Sequence, residues 1–294
     1  MRAAVVRTFG GPEAVEVVET ERPEPGARQV RIRVAASALN PVDAGVRAGA
    51  FGGAGKQIGL GWDIAGTVDA TGVATAWSVG DEVVALDYGM VEPLGAHAEY
   101  VVVDTDAVAG APATVDAVHA ATLPLNALTA VQALDLLELT PGQSLLVTGA
   151  AGAVGGYAVQ LAAHRGVTVT GLAREGDAEL VRSLGAAHVT AVEAGAFDAV
   201  LDAAVLGETA LAWVRDGGAY TGVIPQAQPA SVRGVRTAAV EVSADGARLA
   251  ELVRLVDEGV LTPRVAETFA LDDAAKAHAR LAEGGVRGRL VLVP

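Results

Sequence analysis

Short runs of β-branched and apolar residues, partly alternating with polar ones, fill roughly the first 120 positions of the chain. AVVRTF (4–9), VEVVET (15–20), VRIRVAASAL (30–39), GTVDATG (66–72), DEVVAL (81–86) and AEYVVV (98–103) each predict a strand, with Gly, Pro and Asp between them. Strands so closely spaced predict a barrel-like or sandwich-like unit. The pattern then changes. Residues 117–139 read as helix, and Pro141-Gly142 punctuates before a strand at 144–148. A helix at 154–165, a strand at 167–173, a helix at 177–184 and a short strand at 187–191 follow. AVLDAA (199–204) and AYTGVIP (219–225) are further strands, with a helical stretch near 207–215 between them. Strand and helix alternating at this rhythm predict a parallel, doubly wound sheet. Residues 246–258 form an amphipathic helix with Leu249, Leu252, Val253 and Val256 on one face, and the tail reads as a helix (272–283) and a strand, RLVLVP.

Composition narrows the class. Half of the 294 residues are apolar, enough to bury a core in one large domain or two smaller ones. A net charge of −14 argues against a nucleic-acid surface, which needs clustered Lys and Arg. The absence of Cys removes disulfides, thiol nucleophiles and thiolate zinc sites. The most apolar segment, 118–139, is broken by His119, Pro124, Asn126 and Asp135, so no membrane span is expected. MRAAVVRTFGGPE lacks the pattern of a secretory leader, and a soluble, cytoplasmic protein is the plain expectation.

Residues 149–155 carry the chemistry. They read Gly149-Ala150-Ala151-Gly152-Ala153-Val154-Gly155, a G-x-x-G-x-x-G loop after a strand and before a helix. Gly152 lets the backbone approach a pyrophosphate, and Gly155 lets the helix pack close to the sheet. In an Ala-rich chain the loop alone could be an ordinary strand–helix turn; at the head of a βαβ series it predicts a bound dinucleotide. The next strand ends in Leu172-Ala173-Arg174, where an NAD site would place Asp or Glu to accept from the ribose 2′-hydroxyl. An Arg there suits a 2′-phosphate, so NADPH is the expected cofactor. Two alternatives stay open: Glu175 could pair with Arg174, or Arg174 could be a plain surface residue.

Several short motifs resemble the medium-chain dehydrogenase/reductase superfamily, above all its zinc-free quinone oxidoreductase branch. They are Asn40-Pro41-Val42-Asp43, Gly61-Trp62-Asp63-Ile64-Ala65-Gly66, Gly95-Ala96-His97-Ala98-Glu99-Tyr100, Leu123-Pro124 to Thr129-Ala130, the glycine loop with Val159-Gln160, and Gly288-Arg289-Leu290-Val291. Each is weak alone; their order and spacing over essentially the whole chain are specific. The resemblance implies a GroES-like β-rich domain (1–122 and 264–294) and a Rossmann NADP(H)-binding domain (123–263), with the active site in the cleft between them. It places the nicotinamide pocket on Asn40, Thr129, Val154 and the strand end Gly222-Val223-Ile224. The cofactor set is then Gly149, Ala151, Gly152, Ala153, Val154, Gly155, Ala173, Arg174, Gly222, Val223 and Ile224. Asn40 before Pro41 could instead shape a turn, Thr129 could be an ordinary helix residue, and Gly222 a strand end.

Zinc relatives carry Cys near the Asn40 position and Gly-His-Glu where Gly61-Trp62-Asp63 stands, so no metal is expected. The chain also departs from the quinone reductases: Gly45 and Phe51 stand where tyrosines are frequent, and Ala153 replaces a usual Gly. The expected activity is NADPH-dependent hydride transfer to a quinone or to an α,β-unsaturated carbonyl (an enone or enal). Tyr88 and His97 are candidate proton donors for an enone; solvent serves otherwise. A tailoring enoyl reductase of a polyketide-type pathway and a non-catalytic dinucleotide-binding protein are the alternatives. The partner is a small molecule, with neither nucleic acid nor membrane, and a homodimer stays open.

Overall fold

The computed structural model describes residues 1–294, which fold as two units. The first comprises Met1–Leu125, Ser243–Glu258 and Pro263–Pro294, and the second Asn126–Val242 and Gly259–Thr262.

The first unit is built on the strand Gln29–Leu39, whose Val30, Ile32 and Val34 alternate into the core. Asp63–Thr71 and Tyr100–Asp104 pair antiparallel with its first part, and Arg289–Val293 with its last residues. The sheet continues from Asp63–Thr71 through Glu82–Leu86 to Val108–Gly110, and on the other side from Arg289–Val293 to Val265–Ala270. A second sheet orders Glu16–Glu19, Arg2–Val6 and Ile58–Gly59. The helix Gly246–Asp257 belongs here, although the sequence reading assigned residues up to 263 to the other domain. Its Gly246 lies so close to the strand Val108–Gly110 that an added Cβ would fall 2.4 Å from the Val108 carbonyl oxygen. Leu249, Leu252 and Val256 are buried, as the amphipathic pattern predicts.

The second unit holds six parallel strands in the spatial order Ala187–Val189, Thr168–Leu172, Ser144–Thr148, Phe197–Asp202, Val214–Gly222, Arg236–Ala239. By chain rank this is 3-2-1-4-5-6, the Rossmann arrangement. Leu145, Leu146, Val147, Val200 and Leu201 are fully buried, as parallel strands covered on both faces require. Arg236–Ala239 and Val265–Ala270 were not expected from sequence. The helix expected over 117–139 is two, Ala117–Ala120 and Pro124–Leu137. Pro124 has no N–H to continue a helix and holds Leu123 out of helical conformation, so the chain turns between them. No helix is long and apolar enough to cross a membrane.

Candidate functional site

In the second unit, the carboxyl ends of Ser144–Thr148, Thr168–Leu172, Phe197–Asp202 and Val214–Gly222 lie side by side, with Thr148 in register with Leu172 and Asp202, and Asp202 with Gly222. In open parallel sheets ligands bind here, at the switch of strand order. Gly149, at φ 60°, starts a tight turn closed by Gly152 N–H donating to the Gly149 carbonyl at 2.8 Å. Gly152 is then the N-cap of the helix Ala153–His164, so the first-turn amides open toward the loop. Gly155 cannot carry a side chain: its Cβ would lie 2.2 Å from the Gly149 carbonyl oxygen. The sequence-predicted residues Gly149, Ala151, Gly152, Ala153, Val154 and Gly155 thus lie together in one loop and helix start; Ala173 and Arg174 follow one neighbouring strand, and Gly222 ends another, with Val223 and Ile224 after it.

Arg174 is exposed and its guanidinium makes neither a hydrogen bond nor an ion pair. The pairing with Glu175 left open by the sequence does not form. A buried network missed by the sequence reading lies under the same edge. Asp202, fully buried, accepts from Thr148 Oγ1 at 2.6 Å, Gly207 N–H at 2.8 Å and Tyr220 OH at 2.9 Å. Burial, with the Asp202 carboxylate beside it, pushes the Tyr220 phenol up and keeps it a donor. Thr148 Oγ1 in turn accepts from Ala204 N–H at 2.9 Å. Between these two grips sits Val205 at φ 58°, a left-handed conformation costly for a β-branched residue. Val205, Leu206 and Ile224 present exposed apolar side chains at this edge.

In the first unit, Asn40 stands at the centre of a polar node. Its Nδ2 donates to Asp63 Oδ2 at 2.6 Å, and its Oδ1 accepts from Arg289 Nη1 at 3.0 Å. Asp63 Oδ1 accepts from Leu125 N–H at 2.6 Å. Asp43 takes the backbone N–H of Asn40 at 2.7 Å on one oxygen and that of Gly61 at 3.0 Å on the other. Asp43, Asp63 and Asn40 are buried. Burial pushes the Asp43 carboxyl up, against the opposing pull of His97 and the two amide bonds. Burial also raises Asp63, to about 7, with the Leu125 and Asn40 bonds pulling it down.

His97 is fully buried, with Nε2 3.2 Å from the Ala38 carbonyl, so that nitrogen must carry its proton. The ring is wholly enclosed and presents no atom at the surface of the first unit. His278 Nδ1 faces Arg47 Nη1 at 3.1 Å, and burial lowers its pKa to about 3. Tyr88 is partly exposed and packs edge-on against Trp62 at 5.0 Å. Thr129 lies buried on the helix Pro124–Leu137, in the second unit. Asn40 is thus joined to Asp63, Asp43 and Arg289. Asp43 and Asp63 stand within motifs singled out from sequence, which gave neither a role of its own.

Asp63 sets a pH dependence. Its proton is held more tightly in the folded chain than in the unfolded one, so ionisation favours unfolding as pH rises from about 4 to about 7. Stability is expected to fall across that window by an amount on the order of 4 kcal/mol from this group, and to level off above it. Urea denaturation of the wild type and Asp63→Asn between pH 4 and 8 checks this: the fall should shrink in the variant.

Two protein families match the chain: "Alcohol dehydrogenase GroES-like domain" over residues 26–113 and "Zinc-binding dehydrogenase" over residues 175–292. A GroES-like domain together with a Rossmann sheet defines a two-domain class of oxidoreductases. The chain is 32% identical over 316 residues to the NADPH-dependent alkenal/one oxidoreductase of Arabidopsis thaliana, covering 100% of this chain and 80% of that protein. It is 30% identical over 320 residues to a quinone oxidoreductase of Pseudomonas aeruginosa, covering 97% of each. The solved quinone oxidoreductase of Coxiella burnetii superposes with a TM-score of 0.91 at 29% identity, over 100% of this chain and 99% of that one. The chain belongs to the medium-chain dehydrogenase/reductase superfamily, on the quinone oxidoreductase-like branch.

The zinc in one family's description does not fit the residues present. The chain has no Cys, both oxygens of Asp43 and of Asp63 already accept hydrogen bonds, and no three His, Asp or Glu side chains come together as a ligand set. The cation at this node is the guanidinium of Arg289. A dinucleotide does fit the second unit: two glycines leave a cradle, the helix start supplies amides, and Arg174 supplies an unpaired charge.

Proposed function

We propose that the chain is a zinc-independent, NADPH-dependent reductase of quinones or α,β-unsaturated carbonyls. The observation that carries this reading is the unpaired Arg174 guanidinium at the end of the strand after the glycine cradle, with no acid in its place. The names of the relatives, an NADPH-dependent alkenal/one reductase and quinone reductases, support it. The nicotinamide, when bound, supplies the hydride. The amides of residues 153 and 154 would hold the pyrophosphate and Arg174 the 2′-phosphate. Within the second unit, Gly222, Val223 and Ile224 bound the space for the nicotinamide end. A quinone leaves a hydroquinone anion that takes its proton from solvent. An enone needs a proton at the α-carbon, for which the Tyr88 phenol is retained as donor.

Arg174→Ala is expected to raise KM for NADPH at least tenfold and to leave KM for NADH nearly unchanged. Steady-state rates with quinones, enones and enals under both cofactors check this. Equal effects on the two cofactors, or turnover with NADH alone, would remove the NADPH assignment. Turnover confined to enoyl thioesters would point to the tailoring enoyl reductase. Silence across every acceptor, with NADPH still bound, would point to a non-catalytic binding protein.

A further inference from the structure

We infer that His188 is a positioning residue for cofactor choice: it fixes the turn that aims Arg174, and so acts on NADPH binding without acting on NADH binding. The inference rests on the NADPH reading above. His188 lies on the strand Ala187–Val189, opposite Gly171 in the neighbouring strand. Its Nε2 is 3.2 Å from the Ala173 carbonyl and 3.2 Å from the Arg174 carbonyl. Two carbonyls can only accept, so Nε2 carries the proton and donates to both as a fork. The Arg174 carbonyl also accepts from Asp177 N–H at 2.9 Å, and Ala173 N–H donates to the Val189 carbonyl at 3.2 Å.

The main chain at 173–174 is therefore tied on two sides, while the Arg174 side chain is tied to nothing. That is the arrangement of a prepaid binding group: the backbone is ordered before the ligand arrives, and the guanidinium is held ready. Only a ligand with a 2′-phosphate gains from it. A ribose bearing a plain 2′-hydroxyl offers Arg174 no charge to meet, so the order at 173–174 is worth little to NADH.

The test measures dissociation constants for NADPH and NADH by quenching of intrinsic fluorescence, with 2′,5′-ADP and 5′-AMP as fragments. The proteins are wild type, Arg174→Ala, His188→Ala, His188→Gln and the Arg174→Ala/His188→Ala double variant, each checked for an intact thermal transition. His188→Ala is expected to weaken NADPH and 2′,5′-ADP on the order of threefold to tenfold and to leave NADH and 5′-AMP within twofold. His188→Gln, which keeps an N–H donor, should recover most of the loss. In the double variant His188→Ala should add nothing to Arg174→Ala, because the two act through one contact. A selective Arg174→Ala alongside a His188→Ala that changes neither cofactor, or both alike, would overturn the inference alone. Equal losses of both cofactors in Arg174→Ala would overturn the NADPH reading and this inference with it.

Discussion

Gly155→Ala is expected to lower the stability of the chain by about 3 kcal/mol and to weaken NADPH binding more than tenfold. The added methyl would sit 2.2 Å from the Gly149 carbonyl oxygen and 2.8 Å from its carbonyl carbon. Both are backbone atoms, so no side chain can rotate away, and either the loop or the helix Ala153–His164 must shift by about 1 Å to reach ordinary contact. The shift opens the Gly152-to-Gly149 turn and turns the first helical amides away from the pyrophosphate position. Urea denaturation gives the stability loss, and fluorescence titration with NADPH gives the affinity. Gly110→Ala is the control, because nothing lies within 4 Å of its Cβ position. Unchanged NADPH binding in a folded Gly155→Ala would show that this loop does not hold the cofactor.

Asp202→Ala is expected to be the more destabilising of the two, by about 4 kcal/mol. It leaves three donors, Thr148 Oγ1, Gly207 N–H and Tyr220 OH, without their acceptor. Each orphaned buried donor costs about 1–3 kcal/mol. Release of Val205 from its left-handed conformation offsets about 1 kcal/mol of this. Asp202→Asn should cost far less: its amide oxygen can accept from Gly207 and Tyr220, and its NH2 can donate to Thr148 once that hydroxyl turns. Chemical denaturation of both variants decides between shape and charge. An Asn variant as unstable as the Ala variant would mean that the negative charge itself holds the network.

Much of this was legible in the sequence for definite reasons. The cradle is written in glycines at fixed spacing after an apolar run, and Arg174 is conspicuous because it stands where an acid is the alternative. The β-rich first unit declares itself through alternation, as in Val30, Ile32 and Val34. Arg236–Ala239 and Val265–Ala270 were not legible. Each sits at a sheet edge and is poor in Ile and Val, so its neighbours rather than its own propensity make it a strand. The helix Gly246–Asp257 shows its buried face in the sequence but not the unit it packs on. The buried aspartates were hardest. Asp202 ends the apolar run AVLD and Asp63 opens DIAG, so each resembles a polar residue where a strand meets solvent. A carboxylate directly abutting fully buried strand positions is the signal that could have found them.

The strand Arg289–Val293 has a consequence for how the molecule comes into being. Val291 pairs with Ala38, about 250 residues earlier, and the whole contiguous stretch of the second unit lies between them. During synthesis the parallel sheet has all its strands in hand while the antiparallel one still lacks a partner for the end of Gln29–Leu39. That unfinished sheet exposes backbone donors and acceptors, and an edge of this kind invites pairing with other chains until it is filled. The same strand delivers Arg289 to Asn40. The step that closes the edge therefore also brings in the cation of the polar node, so a nascent chain acquires both together.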